Sequence, residues 1–448
     1  MLLATLPRMT LFPQNALNDG VRKREVFGWA MYDFANSGYT TVVLTAVFNA
    51  YFVSVVAGGA SWATLAWTLT IAASSLVVML TLPALGAWAD LRGAKKRLLG
   101  LTTATCVLGT CALALAGPGS LWLAVAAVIV SNVAYSYGES LVAAFLPELA
   151  RSDSMGRVSG WGWSLGYVGG MLALGLSLAY VLSASARGVP ATSYVPVTML
   201  ITAGVYGAAS LATFLLLRER AVPAAAAATD DGGIGASLRR LAGTWQHARR
   251  YRDYVWFLAC STSYQAGISI VITLAAVYAK EAIGFTDTDT MLLVFLVNIA
   301  SALGAFAFGY WQDRIGHKPA LQVTLVGWLV MTGLAVASTG PVLFWIAAVV
   351  AGLCMGSSQS AGRAMVGLFT PEDRRAEFFA LWTFATRLSA IIGPVTYGLF
   401  TLVTFGNHRA AMAVTALFFV GGLLCLRRVD LSRGEAASRA VTPPEPGI

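Results

Sequence analysis

The stretch Gly309-Tyr-Trp-Gln-Asp313-Arg314-Ile-Gly316-His-Lys318 follows a long apolar run, and its repetition decides the fold. An earlier copy, Gly86-Ala-Trp-Ala-Asp90-Leu-Arg92-Gly93, lies 223 residues upstream. Pro147-Glu148 recurs as Pro371-Glu372 at an offset of 224. Matched points at one spacing mean a duplicated unit. The stretch also has a physical reading. Gly309, like Gly86, permits close helix contact. Asp313, like Asp90, can face a helix N-terminus or a nearby Arg. Gly316, like Gly93, allows a tight turn, and Lys318 is expected to face the cytoplasm. The first copy has Leu91 where the second has Arg314, but Lys95, Lys96 and Arg97 keep its basic end.

Working outward, each copy sits among apolar runs long enough to cross a bilayer, which takes about 20 residues in helical form. Twelve runs qualify: 27–56, 62–89, 98–116, 121–145, 158–182, 194–217, 254–279, 290–311, 320–338, 342–365, 377–401 and 410–426. The composition agrees, with 57% hydrophobic and 11% charged residues, against about 25% charged in soluble domains. The runs are too long and continuous for a spanning β-barrel. The expected fold is therefore an all-α polytopic membrane protein. It divides into a cytoplasmic segment 1–26, a six-helix bundle 27–217, a central loop 218–253, a second six-helix bundle 254–426 and a cytoplasmic tail 427–448.

Of the 30 Lys and Arg residues, 25 fall on the side of the N-terminus and central loop, which places both termini in the cytoplasm. The same distribution assigns the net charge of +9 to membrane orientation rather than nucleic-acid binding. Within the central loop, Leu238, Leu241, Trp245 and Ala248 recur at helical spacing among arginines, which suggests a helix lying on the inner membrane surface among its lipids. The first twenty residues lack a continuous apolar segment with a cleavage site, so no cleaved signal peptide is expected. The five cysteines read as packing residues, and the three histidines lie in different loops, so no metal or cofactor is expected.

The loop stretch resembles the signature of the major facilitator superfamily, in both halves of the chain. That resemblance implies two bundles, with the first, fourth, seventh and tenth helices lining a central cavity. A narrower likeness rests on four places. They are Trp29-Ala-Met-Tyr32-Asp33-Phe34-Ala35-Asn36-Ser37, Gly160-Trp-Gly-Trp-Ser-Leu-Gly166, the segment from Gln359-Ser-Ala-Gly-Arg363 to Trp382, and Gly393-Pro394. Together they resemble the bacterial branch of the family that includes the fungal vacuolar amino-acid effluxer of autophagy. The usual Gly after the Phe-Phe pair is Ala380 here. The resemblance implies transport, with amino-acid efflux proposed for the fungal member, in a bacterial inner membrane.

A charge inside a spanning helix costs about 2.5–3.5 kcal/mol on insertion scales, so each one needs an explanation. Asp33 shares a helix face with Asn36, Ser37 and Thr40, a cluster that could bind solute or a proton or simply tighten packing. Glu139 and Arg363 occupy equivalent positions of the repeat, 224 residues apart, each about two turns before a Pro-Glu pair. They are expected to form a charge pair gating the cytoplasmic side of the cavity, to divide the charges of a zwitterionic solute, or to make a permanent structural pair, and Glu139, like Asp33, is a candidate proton carrier. Arg387 could meet a solute carboxylate or the carbonyls of a helix interrupted near Gly393-Pro394. Tyr135, Tyr137, Tyr264 and Gln265 are further candidate linings.

The expected function is secondary transport of a small polar solute, amino acids or related zwitterions, with protons as the coupling ion. Drug or sugar transport on the same fold is an alternative, and a receptor or scaffold is an alternative of another class. A membrane enzyme would need a catalytic constellation at membrane depth, and there is no G-x-S-x-G. A nucleotide-driven pump would need G-x-x-x-x-G-K-[ST], which is absent.

Overall fold

The computed structural model describes residues 12–220 and 251–439. The expected surface helix within 238–252 falls almost wholly outside them, as do the first 11 residues and the last nine. Twelve long helices run through the described residues. They are α1 (Lys23–Tyr39, continued through wider turns to Val56), α2 (Ala63–Arg92), α3 (Lys95–Leu113), α4 (Leu121–Ala143), α5 (Met155–Ala186) and α6 (Ala191–Leu216), then α7 (Arg252–Tyr278), α8 (Asp287–Ile315), α9 (His317–Ala337), α10 (Pro341–Phe369), α11 (Arg375–Val403) and α12 (His408–Arg427). A short α13 (Leu431–Arg439) follows. Eleven of the twelve are long and apolar enough to span. The exception, α3, opens on Lys95-Lys96-Arg97 and carries several threonines.

Local chemistry sets the helix ends. Gly93 at φ 57° and Gly316 at φ 93° terminate α2 and α8 in backbone conformations that glycine adopts freely. Thr286 and Asp289 cap each other reciprocally at the start of α8. Pro341 opens α10, where its missing N–H costs nothing. Several helices begin earlier than hydropathy suggests, α1 at Lys23 rather than 27 and α3 at Lys95 rather than 98. Basic side chains at a helix end reach out to the interface, so they extend the helix without entering hydrocarbon. The later half of α1 departs from a plain α-helix, with π-type turns over Thr40–Ala46 and Phe52–Val56.

The two halves pack alike. α1 lies against α5 and α6, as α7 lies against α11 and α12, while the α3–α4 pairing repeats as α9–α10. Across the seam between bundles, α2 meets α11 and α5 meets α8. This is the two-bundle, pseudo-symmetric arrangement of the major facilitator fold. Its outer surface is apolar, with Leu108 69% and Trp122 82% exposed, as a lipid-facing surface requires.

The ends of the helices that carry the loop motifs, here the basic end, are tied down. In the N-terminal segment, Leu17 bridges to Ala150, and the Asn18 amide donates to the Pro147 carbonyl at 3.0 Å. At the other terminus, α13 is held to α7 by two hydrogen bonds of 2.7 Å from Arg433 to Asp253, and to α10 by Ser438, which donates to the Leu368 carbonyl. The expected tail thus begins as a docked helix.

Candidate functional site

The seam is closed at the basic end by two equivalent devices. Asp90, at the end of α2, accepts hydrogen bonds from the backbone N–H groups of Ala376 and Glu377 at 3.1 and 3.0 Å. Asp313, at the end of α8, accepts from the N–H groups of Gly156 and Arg157 at 2.9 and 3.1 Å, and from the Arg157 side chain at 2.8 Å. Each aspartate therefore caps the first turn of a helix in the opposite bundle, where unpaired N–H groups and the helix dipole both favour an anion. Close approach makes this possible. A Cβ at Gly86 would strike the Ala376 carbonyl, and one at Gly309 would lie 2.8 Å from the Gly156 carbonyl oxygen. The remaining motif residues differ in placement. Arg314 is exposed. Lys318 turns back to donate to the Val429 carbonyl at 2.7 Å, at the end of α12.

Beside these caps, Glu148 is buried and takes an ion pair from Lys95 of α3 and a second, at 3.6 Å, from Arg375 of α11. The matching Glu372 is exposed and, among the described residues, pairs with Arg375, so the repeat is asymmetric here.

Deeper in the seam, the four charged helix residues form two pairs, and they are not the pair expected. Arg363 of α10 binds Asp33 of α1 at 2.6 Å rather than Glu139. Glu139 of α4 instead meets Arg387 of α11 at 3.2 Å. The reason is geometric. A pseudo-two-fold axis makes positions 139 and 363 equivalent, but equivalent residues touch only at the axis itself, and these two side chains are paired away from each other. The α4 side chain looks across to α11, and the α10 side chain looks across to α5 and α1.

All three guanidinium nitrogens of Arg363 are engaged. Besides Asp33, its Nε donates to the Ser159 hydroxyl at 3.1 Å and its Nη2 to the Ser159 carbonyl at 2.8 Å. The rings of Trp29 and Trp163 lie 4.7 and 5.3 Å from its guanidinium carbon, within cation–π range. Gly162 makes room for this cluster, since a Cβ there would collide with Asp33, Arg363 and Trp29 together. The pair is almost dry, with side chains 3% and 11% exposed.

Glu139 and Arg387 stand in contrast. A single hydrogen bond joins them, their side chains are 36% and 18% exposed, and Arg387 Nε is buried without a hydrogen-bond partner among the described residues. Tyr135, one turn before Glu139, presents its ring 5.9 Å from the Arg387 guanidinium and stacks on Tyr39.

Asn36 lies elsewhere. Its Oδ1 accepts from the Tyr206 hydroxyl of α6 at 2.6 Å, inside its own bundle, so it shares no partner with Asp33. Tyr137 pairs with Thr81, and Gln265 with Gln359 at 2.9 Å. Tyr264 is fully buried. Sequence reasoning missed Gly162, Trp163, Ser159 and Glu148 as site residues. The close-set Gly160-Trp-Gly-Trp run was the available signal for the first two. Among the described residues, no group of three or more His, Cys, Asp or Glu is placed to hold a metal ion.

Comparison with known proteins agrees with this architecture. The family described as "Vacuole effluxer Atg22 like" matches residues 50–439. An "Uncharacterized MFS-type transporter YxiO" of Bacillus subtilis is 26% identical over 399 residues, covering 88% of this chain and 92% of that protein. Autophagy-related protein 22-1 of Aspergillus fumigatus is 24% identical over 310 residues, covering 64% of this chain and 50% of that protein, so the match spans half of the fungal relative. Among solved structures, the human organic anion transporter MFSD10 superposes with a TM-score of 0.71 at 14% identity, covering 90% of this chain and 99% of that one. The Escherichia coli fucose:proton symporter FucP superposes with a TM-score of 0.66 at 15% identity, covering 91% and 97%. At these identities the structures share the fold alone.

Proposed function

Because the chain belongs to the vacuole effluxer Atg22-like family of major facilitator transporters, we propose that it exports amino acids or related zwitterions by alternating access, with protons as the coupling ion. The observation that carries this reading is the pairing of four helix charges across the seam. A buried charge stripped of its partner is costly, so a pair that opens when the bundles rock must find other partners. A solute bearing both charges can supply those partners to Glu139 and Arg387. A sugar can offer hydrogen bonds but no countercharge, and an apolar drug offers neither.

Of the two carboxylates, Glu139 is the more accessible and is the proton carrier in this scheme. Asp33, locked under two tryptophans, keeps the seam in register. The basic end faces the cytoplasm, following the charge bias along the chain, with both termini on that side of a bacterial inner membrane. With Asp90, Asp313 and Glu148 all engaged, this conformation is closed toward the cytoplasm.

Counterflow in proteoliposomes tests the reading. Vesicles preloaded with unlabelled amino acids should take up labelled amino acid, and an imposed pH gradient should drive net movement. Glu139→Gln should lose the response to the gradient, with any remaining exchange seen at high amino-acid concentration. Uptake of labelled sugars with none of amino acids would defeat the proposal.

A further inference from the structure

The contrast between the two arginines locates the solute. We infer that Arg387 and Glu139 form a divided binding site for a zwitterion, in which Arg387 takes the carboxylate and Glu139 the ammonium group, and that their mutual bond is the resting form of the empty site. This rests on the amino-acid reading above and deepens it.

Three observations carry the assignment. The first is unused hydrogen-bonding capacity. The planar guanidinium has five N–H donors arranged to fork a carboxylate. At Arg363, Nε, Nη1 and Nη2 are all engaged and tryptophan rings lie beside the plane. At Arg387 one Nη2 bond is made, and the buried Nε has no partner among the described residues. The second is access. Side-chain exposure rises from the Asp33–Arg363 pair to the Glu139–Arg387 pair, so the second can be reached while the first is sealed. The third is location. Glu139 belongs to one bundle and Arg387 to the other, so a ligand between them touches both moving bodies.

Inserting an amino acid replaces one inter-residue bond with two charge-assisted contacts, and neither protein charge is left bare. The same carboxylate cannot hold a proton and pair with an ammonium group at once. Solute and proton therefore displace each other, which is the logic of an exchanger.

The test uses the full chain in lipid nanodiscs and a set of matched probes. L-leucine carries both charges, 3-methylbutylamine lacks the carboxylate, and 4-methylpentanoate lacks the ammonium group. A panel of the other L-amino acids is screened in parallel, each with its own amine and acid. Binding is read by ligand-induced thermal stabilisation and by equilibrium dialysis. The expected result is that at least one amino acid binds, and that its amine and its acid each bind about 10- to 100-fold more weakly, the range for losing one charged hydrogen bond. Glu139→Gln should weaken the amino acid by a similar factor and abolish its advantage over the acid. Arg387→Lys should bind detectably and Arg387→Met should not. The change in preference is the decisive readout, because a purely structural defect weakens all probes alike and leaves their ranking intact. If an amino acid binds, and either its advantage over the acid survives in Glu139→Gln or Arg387→Met binds it as the wild type does, the site lies elsewhere, while the transport reading stands. If no amino acid binds the wild-type protein, the inference and the reading fall together.

Discussion

Arg363 and Arg387 both reach from the second bundle into the first, yet they end in different surroundings. Arg363 enters a socket built from α1 and α5, where a carboxylate, a serine and two indoles account for its charge. Arg387 meets one oxygen of one glutamate, partly open to solvent. The helix charges are alike and the supporting shells are not. A charge at membrane depth thus serves as a fixed joint or as an exchangeable contact according to how many of its donors are already engaged.

The difference should first appear in stability. Asp33→Asn or Arg363→Met leaves a buried charge without its counterpart, a loss of typically about 3–5 kcal/mol. Thermal unfolding in detergent should show each single variant strongly destabilised. The double variant should lose less than the sum of the two, and strict additivity would deny the coupling.

Gly162 sharpens the same contrast through space rather than charge. Gly162→Ala forces a methyl group against the ion pair, an overpacking cost of about 1–3 kcal/mol. Gly175, in the same helix, has open space where its Cβ would lie. Gly175→Ala should be neutral or stabilising by up to about 1 kcal/mol, the gain in helix propensity. Equal melting temperatures for the two alanine variants would refute the crowding at Gly162.

The capping aspartates should have smaller effects on stability. Removing a helix cap costs about 1 kcal/mol, so Asp90→Ala and Asp313→Ala should fold. They should nevertheless loosen the basic end. Ser360 is buried beside the Gly156 carbonyl. A Ser360→Cys probe, with the five native cysteines replaced, should label faster in either aspartate variant, and unchanged labelling in both would count against the caps as the closing device.

The smallest stability change belongs to Glu139→Gln. A single, partly exposed ion pair contributes about 0–1 kcal/mol, so this variant should melt close to wild type while losing proton-driven accumulation. A collapse in stability would mean that the pair is as structural as Asp33–Arg363.

Much of this was legible in the sequence. The twelve helices, the duplication and the four helix charges follow from hydropathy and from Asp90 and Asp313 recurring at one offset. The partners of those charges did not follow. A repeat offset reveals which residues are equivalent under rotation, and Glu139 and Arg363 are so related without touching. Which faces meet across the seam depends on bundle docking, and one chain's periodicity carries no record of it. Asn36 illustrates the same point on a smaller scale. It shares a helical stripe with Asp33, but only the packing of α6 shows that its partner is Tyr206. Glu148 marked the repeat in sequence, whereas its burial between Lys95 and Arg375 is a tertiary fact.

The docked helix α13 has a practical consequence for measuring motion. Arg433 and Ser438 fasten it to α7 and α10, and Lys318 holds the carbonyl of Val429 just before it. A spin label on its exposed face would therefore travel with the second bundle. A partner label beside Asn18, which is anchored to Pro147 of the first bundle, would complete the ruler. The distance between them becomes a direct gauge of how far the two halves swing during one turnover.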